Sequence, residues 1–216
     1  MAGGAGGVAD RAVERAVEAA KTRARDDVQQ LIAAGLTVLR REGAAEMTIA
    51  EVLSEAGLST RAFYRHFTSK SDLLLAIYEH EVQRYNPLLQ RRLDAASDPA
   101  EALVAWIDEL LAAGFEPRRG ERTRAMFSWA VPLQQEFPTE FAAIRAALTD
   151  PLEAVLASGL ADGTFPATDP ARDAPFIRAL TWELVDEHLC DPLSDVDVVA
   201  AREAVLRFAL PALGAV

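Results

Sequence analysis

The sequence holds one cysteine, Cys190, in 216 residues. That excludes an internal disulfide framework and fits a reducing environment. The expected role of Cys190 is a small, half-buried apolar side chain rather than a redox sensor. No run approaches the ~18–20 consecutive apolar residues that a membrane-spanning helix needs. The opening stretch MAGGAGGVADRAVERAVE has no basic start followed by an apolar core, so it does not read as a secretory signal. The Arg pairs at 40–41, 91–92 and 118–119 lie too far into the chain for twin-arginine export, and the expected location is cytoplasmic.

Catalytic signatures are missing too. There is no G-x-S-x-G, no H-E-x-x-H, no phosphate-cradling glycine loop and no C-x-x-C. His80 and His188 have acidic neighbours at Glu79, Glu81, Asp186 and Glu187. They are far apart in sequence on predicted helices, where surface or interface roles outweigh metal ligation. The reading is therefore of a protein that is not an enzyme, with no metal and no cofactor.

Positive charge is scarce overall. The formal net charge is -11, which argues against indiscriminate nucleic-acid binding. The deficit is uneven, however. Residues 1–86 carry 11 basic and 12 acidic side chains, whereas residues 87–216 carry 11 and 21. Only the first part can tolerate a polyanion nearby.

What is present is helical patterning in a chain with the composition of a soluble globular protein, half of it hydrophobic and a quarter charged. No segment sustains a period of two, and no internal repeat occurs. Val28, Leu31, Ile32, Leu36 and Leu39 form one stripe of a first helix that Gly43 ends. Thr48 and Glu51 make a capping box for a second helix. Gly57-Leu58-Ser59 is a tight turn, with Ser59 capping a short third helix that runs to about Phe67. A fourth helix follows and is predicted to kink or end at Pro87. Further helices are predicted near 99–114, 120–135, 138–160, 170–190 and 195–213, separated by turn chemistry. The expected fold is all-α with about nine helices. A mobile extension (1–27) precedes a three-helix helix-turn-helix domain (28–74), a connecting helix (75–86) and a larger helical domain (87–216).

The run from Gly57 to Lys70, GLSTRAFYRHFTSK, contains three Arg or Lys side chains and no carboxylate. On a helical wheel, Phe63 and Phe67 share a face that can anchor the third helix. Thr60, Arg61, Tyr64 and Arg65 spread over the opposite one. That outward face suits a major groove, with Arg for guanine edges and the hydroxyls for phosphate. The lack of carboxylates removes repulsion within the ~8–10 Å over which phosphate charge is felt. Lys70, just beyond the helix, is expected to act as a point charge on the DNA backbone. An ordinary solvated face is the alternative; the capped helices, the Gly turn and the acid-free run together favour DNA.

Residues 47–74, MTIAEVLSEAGLSTRAFYRHFTSKSDLL, resemble the helix-turn-helix signature of the TetR-type transcriptional regulators. The matching positions are Thr48, Ala56, Gly57, Ser59, Phe63, Tyr64, Phe67, Ser69, Lys70, Leu73 and Leu74. The resemblance implies DNA contacts from Thr48, Ser59, Thr60, Arg61, Tyr64, His66 and Lys70. Leu53 departs from the family's usual small Ala, and Thr60-Arg61-Ala62 departs from its usual small or Gly-containing run. His66 has two readings, a partly buried imidazole donating to the backbone or a phosphate contact. Lys21, Arg23 and Arg25 likewise either form a minor-groove arm or simply solvate a helix.

The resemblance further implies that residues 87–216 bind a small, mostly apolar effector and that the protein is a ligand-released repressor acting on a palindromic operator. Pocket candidates are Trp106, Phe115, Met126, Phe127, Trp129 and Trp182, any of which can equally be plain core. The domain's acidity would favour a cationic compound, although most of its carboxylates are expected at the surface. The last two predicted helices carry apolar residues on more than one face, which predicts a homodimer built through them. The competing class is a helical effector-binding or interaction protein without sequence-specific DNA binding.

Overall fold

The computed structural model describes residues 7–191 and 196–215, apart from the side chains of Phe127 and Ser128. It contains nine helices and no strand among those residues: α1 (Val8–Glu46), α2 (Ile49–Ala56), α3 (Thr60–His66), α4 (Lys70–Ala95), α5 (Pro99–Phe115), α6 (Pro117–Glu136), α7 (Pro138–Asp162), α8 (Pro170–Cys190) and α9 (Val198–Ala212). The chain divides into two compact units, Met1–Ile77 and Tyr78–Val216. The division falls inside α4, earlier than Pro87.

In the first unit, the predicted stripe of α1 is inward. Leu31, Ile32 and Leu39 of that stripe are buried and Val28 and Leu36 half-buried; with Val38, which the stripe did not include, they lie in a core with Met47, Val52, Phe63, Leu73 and Ile77. Gly35 permits the close approach of α4: a Cβ there would lie 2.6 Å from Ile77 Cδ1. Gly43 breaks α1 near its end, with φ 80° and ψ 165° that an L side chain resists. Residues 8–27, within the expected N-terminal extension, are helical and form the first turns of α1. They lie almost wholly in solvent. Helix propensity and continuity with the anchored half extend the helix there without burial.

The second unit is built around α5, which packs against α6, α7, α8 and α9. Its side chains Leu103, Trp106, Ile107 and Leu111 are buried with Leu152 and Leu156 of α7, Val185 of α8 and Val205 of α9. Proline opens α5, α6, α7 and α8, where its missing N–H costs nothing and its fixed φ favours the first turn. Of the two outcomes expected at Pro87, a kink or an end, the end does not occur, because α4 continues to Ala95. Pro87 lies on an exposed side, and the helix is held beyond it by buried Leu89. The turn after α7 is set by Gly163 at φ 85° and by Phe165, whose N–H bonds Gly159 O at 2.8 Å. Asp162 accepts from Thr164 N at 2.9 Å, and bonds from Thr164 hold its carboxyl below the usual range.

Cys190 is exposed rather than half-buried. Partial desolvation and the Asp186 carboxylate, 3.6 Å from its Sγ, push the thiol above its ordinary value, which disfavours the reactive thiolate. Among the described residues no helix is long and apolar enough to cross a membrane.

Candidate nucleic-acid interface

Local chemistry fixes α2 and α3. Thr48 Oγ1 accepts from Glu51 N at 3.2 Å, while Glu51 Oε2 accepts from Thr48 N at 2.9 Å and from the Thr48 hydroxyl at 2.7 Å. Gly57 ends α2 in the left-handed region (φ 66°, ψ 26°), and its N–H returns to Leu53 O. Ser59 then caps α3, its Oγ accepting from Ala62 N at 3.2 Å. Phe63 and Phe67 are buried, with ring centroids 5.7 Å apart, and they clamp α3 from one side. Tyr64 meets Phe63 edge-on at 5.2 Å yet remains 58 % exposed. Thr60, Arg61 and Arg65 are exposed beside it. The expected division of the α3 wheel is therefore present, with an apolar side inward and a cationic, hydroxyl-bearing side in solvent.

The individual candidates do not all stand equally ready for phosphate. Arg61 has no ion-pair or hydrogen-bond partner among the described residues. The Ser59 hydroxyl accepts one bond and keeps its proton available. Thr48, in contrast, already spends its hydroxyl proton on Glu51, whose carboxylate stands next to it. Arg65 Nη1 lies 3.6 Å from Asp27 Oδ2, a weak and solvated pairing that a phosphate can replace.

Two candidates already have partners within the protein. Among the described residues His66 donates to no backbone carbonyl; its Nε2 lies 3.4 Å from Asp27 Oδ2 with 11 % of the side chain exposed. Lys70 is not a free point charge, because its Nζ donates to the carbonyls of Ala44 (3.0 Å), Ala45 (3.3 Å) and Met47 (3.1 Å). It ties the start of α4 to the end of α1. Both partnerships span long sequence separations, so no local pattern announces them. Lys21, Arg23 and Arg25 are exposed on α1, and Lys21 Nζ lies 3.9 Å from Glu18.

In the second unit the pocket candidates separate. Trp106 is a core residue, 1 % exposed, with Nε1 donating to Leu148 O at 3.2 Å. Phe115 stacks on His188 at 4.0 Å. Trp129 is buried, its Nε1 donates to Ala125 O, and its ring meets Tyr78 edge-on at 6.0 Å. Met126 and Trp182 are half-buried, and the Phe127 side chain lies outside the described residues. Phe176 on α8 and Phe208 on α9 are 63 % and 73 % exposed, and they border a shallow apolar groove with Ile177, Leu180, Ala209 and Ala212.

A capped helix, a glycine turn and a short, aromatic-anchored helix with a cationic outer face define a helix-turn-helix DNA-binding domain. Residues 31–77 match the family model described as bacterial regulatory proteins, tetR family. The chain is 30% identical over 116 residues to the nucleoid occlusion factor SlmA of Vibrio vulnificus, covering 54% of this chain and 57% of that protein. It is 34% identical over 87 residues to the HTH-type transcriptional regulator CymR of Pseudomonas putida, covering 40% and 43%. It thus spans about half the length of the curated relatives it matches. The fold is similar to that of the transcriptional regulator FadR from Bacillus subtilis, solved with stearoyl-CoA, at a TM-score of 0.64 and 16% identity over 85% of this chain and 98% of that one. Residues 31–77 thus carry the DNA-binding domain of the tetR family of bacterial regulatory proteins.

Proposed function

We propose that the protein is a cytoplasmic, ligand-responsive repressor that binds a palindromic operator as a homodimer and is released by a small effector. The observation that carries the DNA half of this reading is the outer face of α3, where Thr60, Arg61, Tyr64 and Arg65 stand in solvent above buried Phe63 and Phe67. Paired copies of α3 can enter successive major grooves when held about 34–36 Å apart. The exposed Phe176 and Phe208, flanking an apolar groove on α8 and α9, support pairing through those helices. The capacity of this fold to hold an apolar ligand is illustrated by FadR with stearoyl-CoA. Effector binding that favours another separation of the α3 copies would weaken DNA binding by a coupling of typically ~1–3 kcal/mol.

The test is genomic selection of bound DNA, followed by anisotropy titration of the selected duplex at several salt concentrations. Arg61→Ala and Tyr64→Ala are each expected to weaken binding about tenfold or more, with an unchanged far-ultraviolet circular dichroism spectrum. Selection that enriches no sequence, or variants that bind as well as the parent, would refute operator recognition. Sedimentation at micromolar concentration showing only monomer would refute the dimer.

A further inference from the structure

The stretch from Gly57 to Lys70 brings no carboxylate of its own to α3, but the fold supplies one. Asp27, on α1, sets its Oδ2 3.6 Å from Arg65 Nη1 and 3.4 Å from His66 Nε2. Among the described residues it is the one carboxylate paired with a basic side chain of α3, and Arg61 has no such partner. The two arginines that α3 turns outward are therefore not equivalent. Arg61 is open to any polyanion, whereas Arg65 must first give up an anion it already has.

The Asp27 side chain is 22 % exposed, between His66 at 11 % and Arg65 at 59 %. His66 lies against α1, where Ala24, Arg25, Val28 and Gln29 line an open groove with it. The carboxylate is thus shielded beside His66 and open to water beside Arg65. It is also anchored, because Val28 is half-buried and Leu31 and Ile32 are buried one turn further on. When Arg65 lets go, Asp27 stays beside the last turn of α3. Such a carboxylate acts on DNA in two ways. It holds Arg65 through a pair exposed enough to exchange, and it repels a phosphate that comes within a Debye length without engaging Arg65. Loose, sequence-independent binding depends on phosphate neutralisation and meets both penalties. A closely fitted duplex offers Arg65 an acceptor placed for charge-assisted hydrogen bonds, which outweigh them. Discrimination is a difference between two affinities, so an element that weakens the wrong complex raises it as a new contact would.

We infer that Asp27 is a specificity-determining residue, whose carboxylate withholds Arg65 from sequence-independent DNA and releases it to a closely fitted operator. This role rests on the DNA-binding reading of α3 proposed above. Asp26 supplies the control: it carries the same charge on the same helix, but it is exposed and helical geometry turns it about 100° away.

The test uses the full chain and two duplexes, the one enriched by selection and one of shuffled sequence, titrated by anisotropy at about 50 to 200 mM salt. On the shuffled duplex Asp27→Asn is expected to tighten binding about threefold and to steepen the salt slope by about one, because a freed Arg65 adds a phosphate contact. On the selected duplex it should gain less, so the ratio of the two affinities falls. Asp26→Asn should leave both the slope and the ratio as they are, and Asp27→Glu, which keeps the charge, should retain the parent slope. In an Arg65→Ala background Asp27→Asn should behave as Asp26→Asn does. An unchanged slope in Asp27→Asn, or an equal response to Asp26→Asn, would overturn the inference. So would weaker binding to both duplexes with a lowered melting temperature, which would make Asp27 a structural tie alone. If the parent binds both duplexes equally, operator recognition fails, and the Asp27→Asn slope still decides whether the carboxylate holds Arg65 back. A parent that binds neither duplex would defeat both readings.

Discussion

Replacing Lys70 by Met separates two roles that the family signature runs together. The apolar stem is kept, and three hydrogen bonds to the carbonyls of Ala44, Ala45 and Met47 are lost. Ala45 is exposed, so water can take over its carbonyl; Ala44 and Met47 are buried residues, and their carbonyls are less readily compensated. Two charge-assisted bonds at the low end of their usual worth give a loss of about 3 kcal/mol for the first unit. At a typical urea dependence of ~1–2 kcal/mol per molar for a small domain, the midpoint should fall by about 2 M. All three tryptophans, Trp106, Trp129 and Trp182, lie beyond Ile77, so intrinsic indole fluorescence reports the second unit alone. The assay therefore combines urea titration by circular dichroism with hydrogen exchange over residues 40–50 and 60–77. The expected result is lost protection in those segments with little change in indole fluorescence. If Lys70→Met left stability and exchange untouched but lowered the salt slope of DNA binding by about one, Lys70 would be a phosphate contact and the clamp assignment would be wrong.

Three further outcomes follow from the second unit and the α2 cap. Tyr85 has a buried hydroxyl with no partner, and Tyr85→Phe should stabilise the protein by about 1 kcal/mol in thermal unfolding followed by indole fluorescence. Glu109 is fully buried between Arg119 at 2.6 Å and Arg92 at 2.8 Å, so Glu109→Ala should cost about 3 kcal/mol in the same assay. The Glu51 carboxyl is held below its usual range by hydrogen bonds from the Thr48 side chain and backbone. A lowered folded value contributes stability present above the unfolded value and lost as pH falls through the folded one. Exchange protection at the start of α2 should therefore decline on acidification below about pH 4, and in Glu51→Gln that decline should be absent.

Much of the fold is legible because its signals are local. The bounds of α2 and α3 follow from Thr48, Gly57 and Ser59, each acting on amides or dihedrals within a few residues. Prolines and glycines mark the later helices in the same way. That α4 continues past Pro87 is not legible locally, because the burial of Leu89, which holds the helix beyond it, is a tertiary fact. The site divides along the same line. The two faces of α3 are set by periodicity, and they emerge as expected. The partners of His66 and Lys70 lie 39 and 23–26 residues away, where no spacing rule reaches. Composition ranked tryptophans as pocket lining, yet Trp106 and Trp129 are both buried, one bonded to Leu148 of α7 and the other set against Tyr78.

Helix α3 has seven residues, too few for a stable helix in isolation. A peptide copy of Thr60–His66 would be a coil, and grafting those residues elsewhere would transfer their chemistry without their shape. Whatever grip the protein has on DNA is therefore lent by Leu31, Val38 and Val52, none of which can touch a base. A genetic screen for lost DNA binding should accordingly return these hidden positions as often as the arginine at the surface.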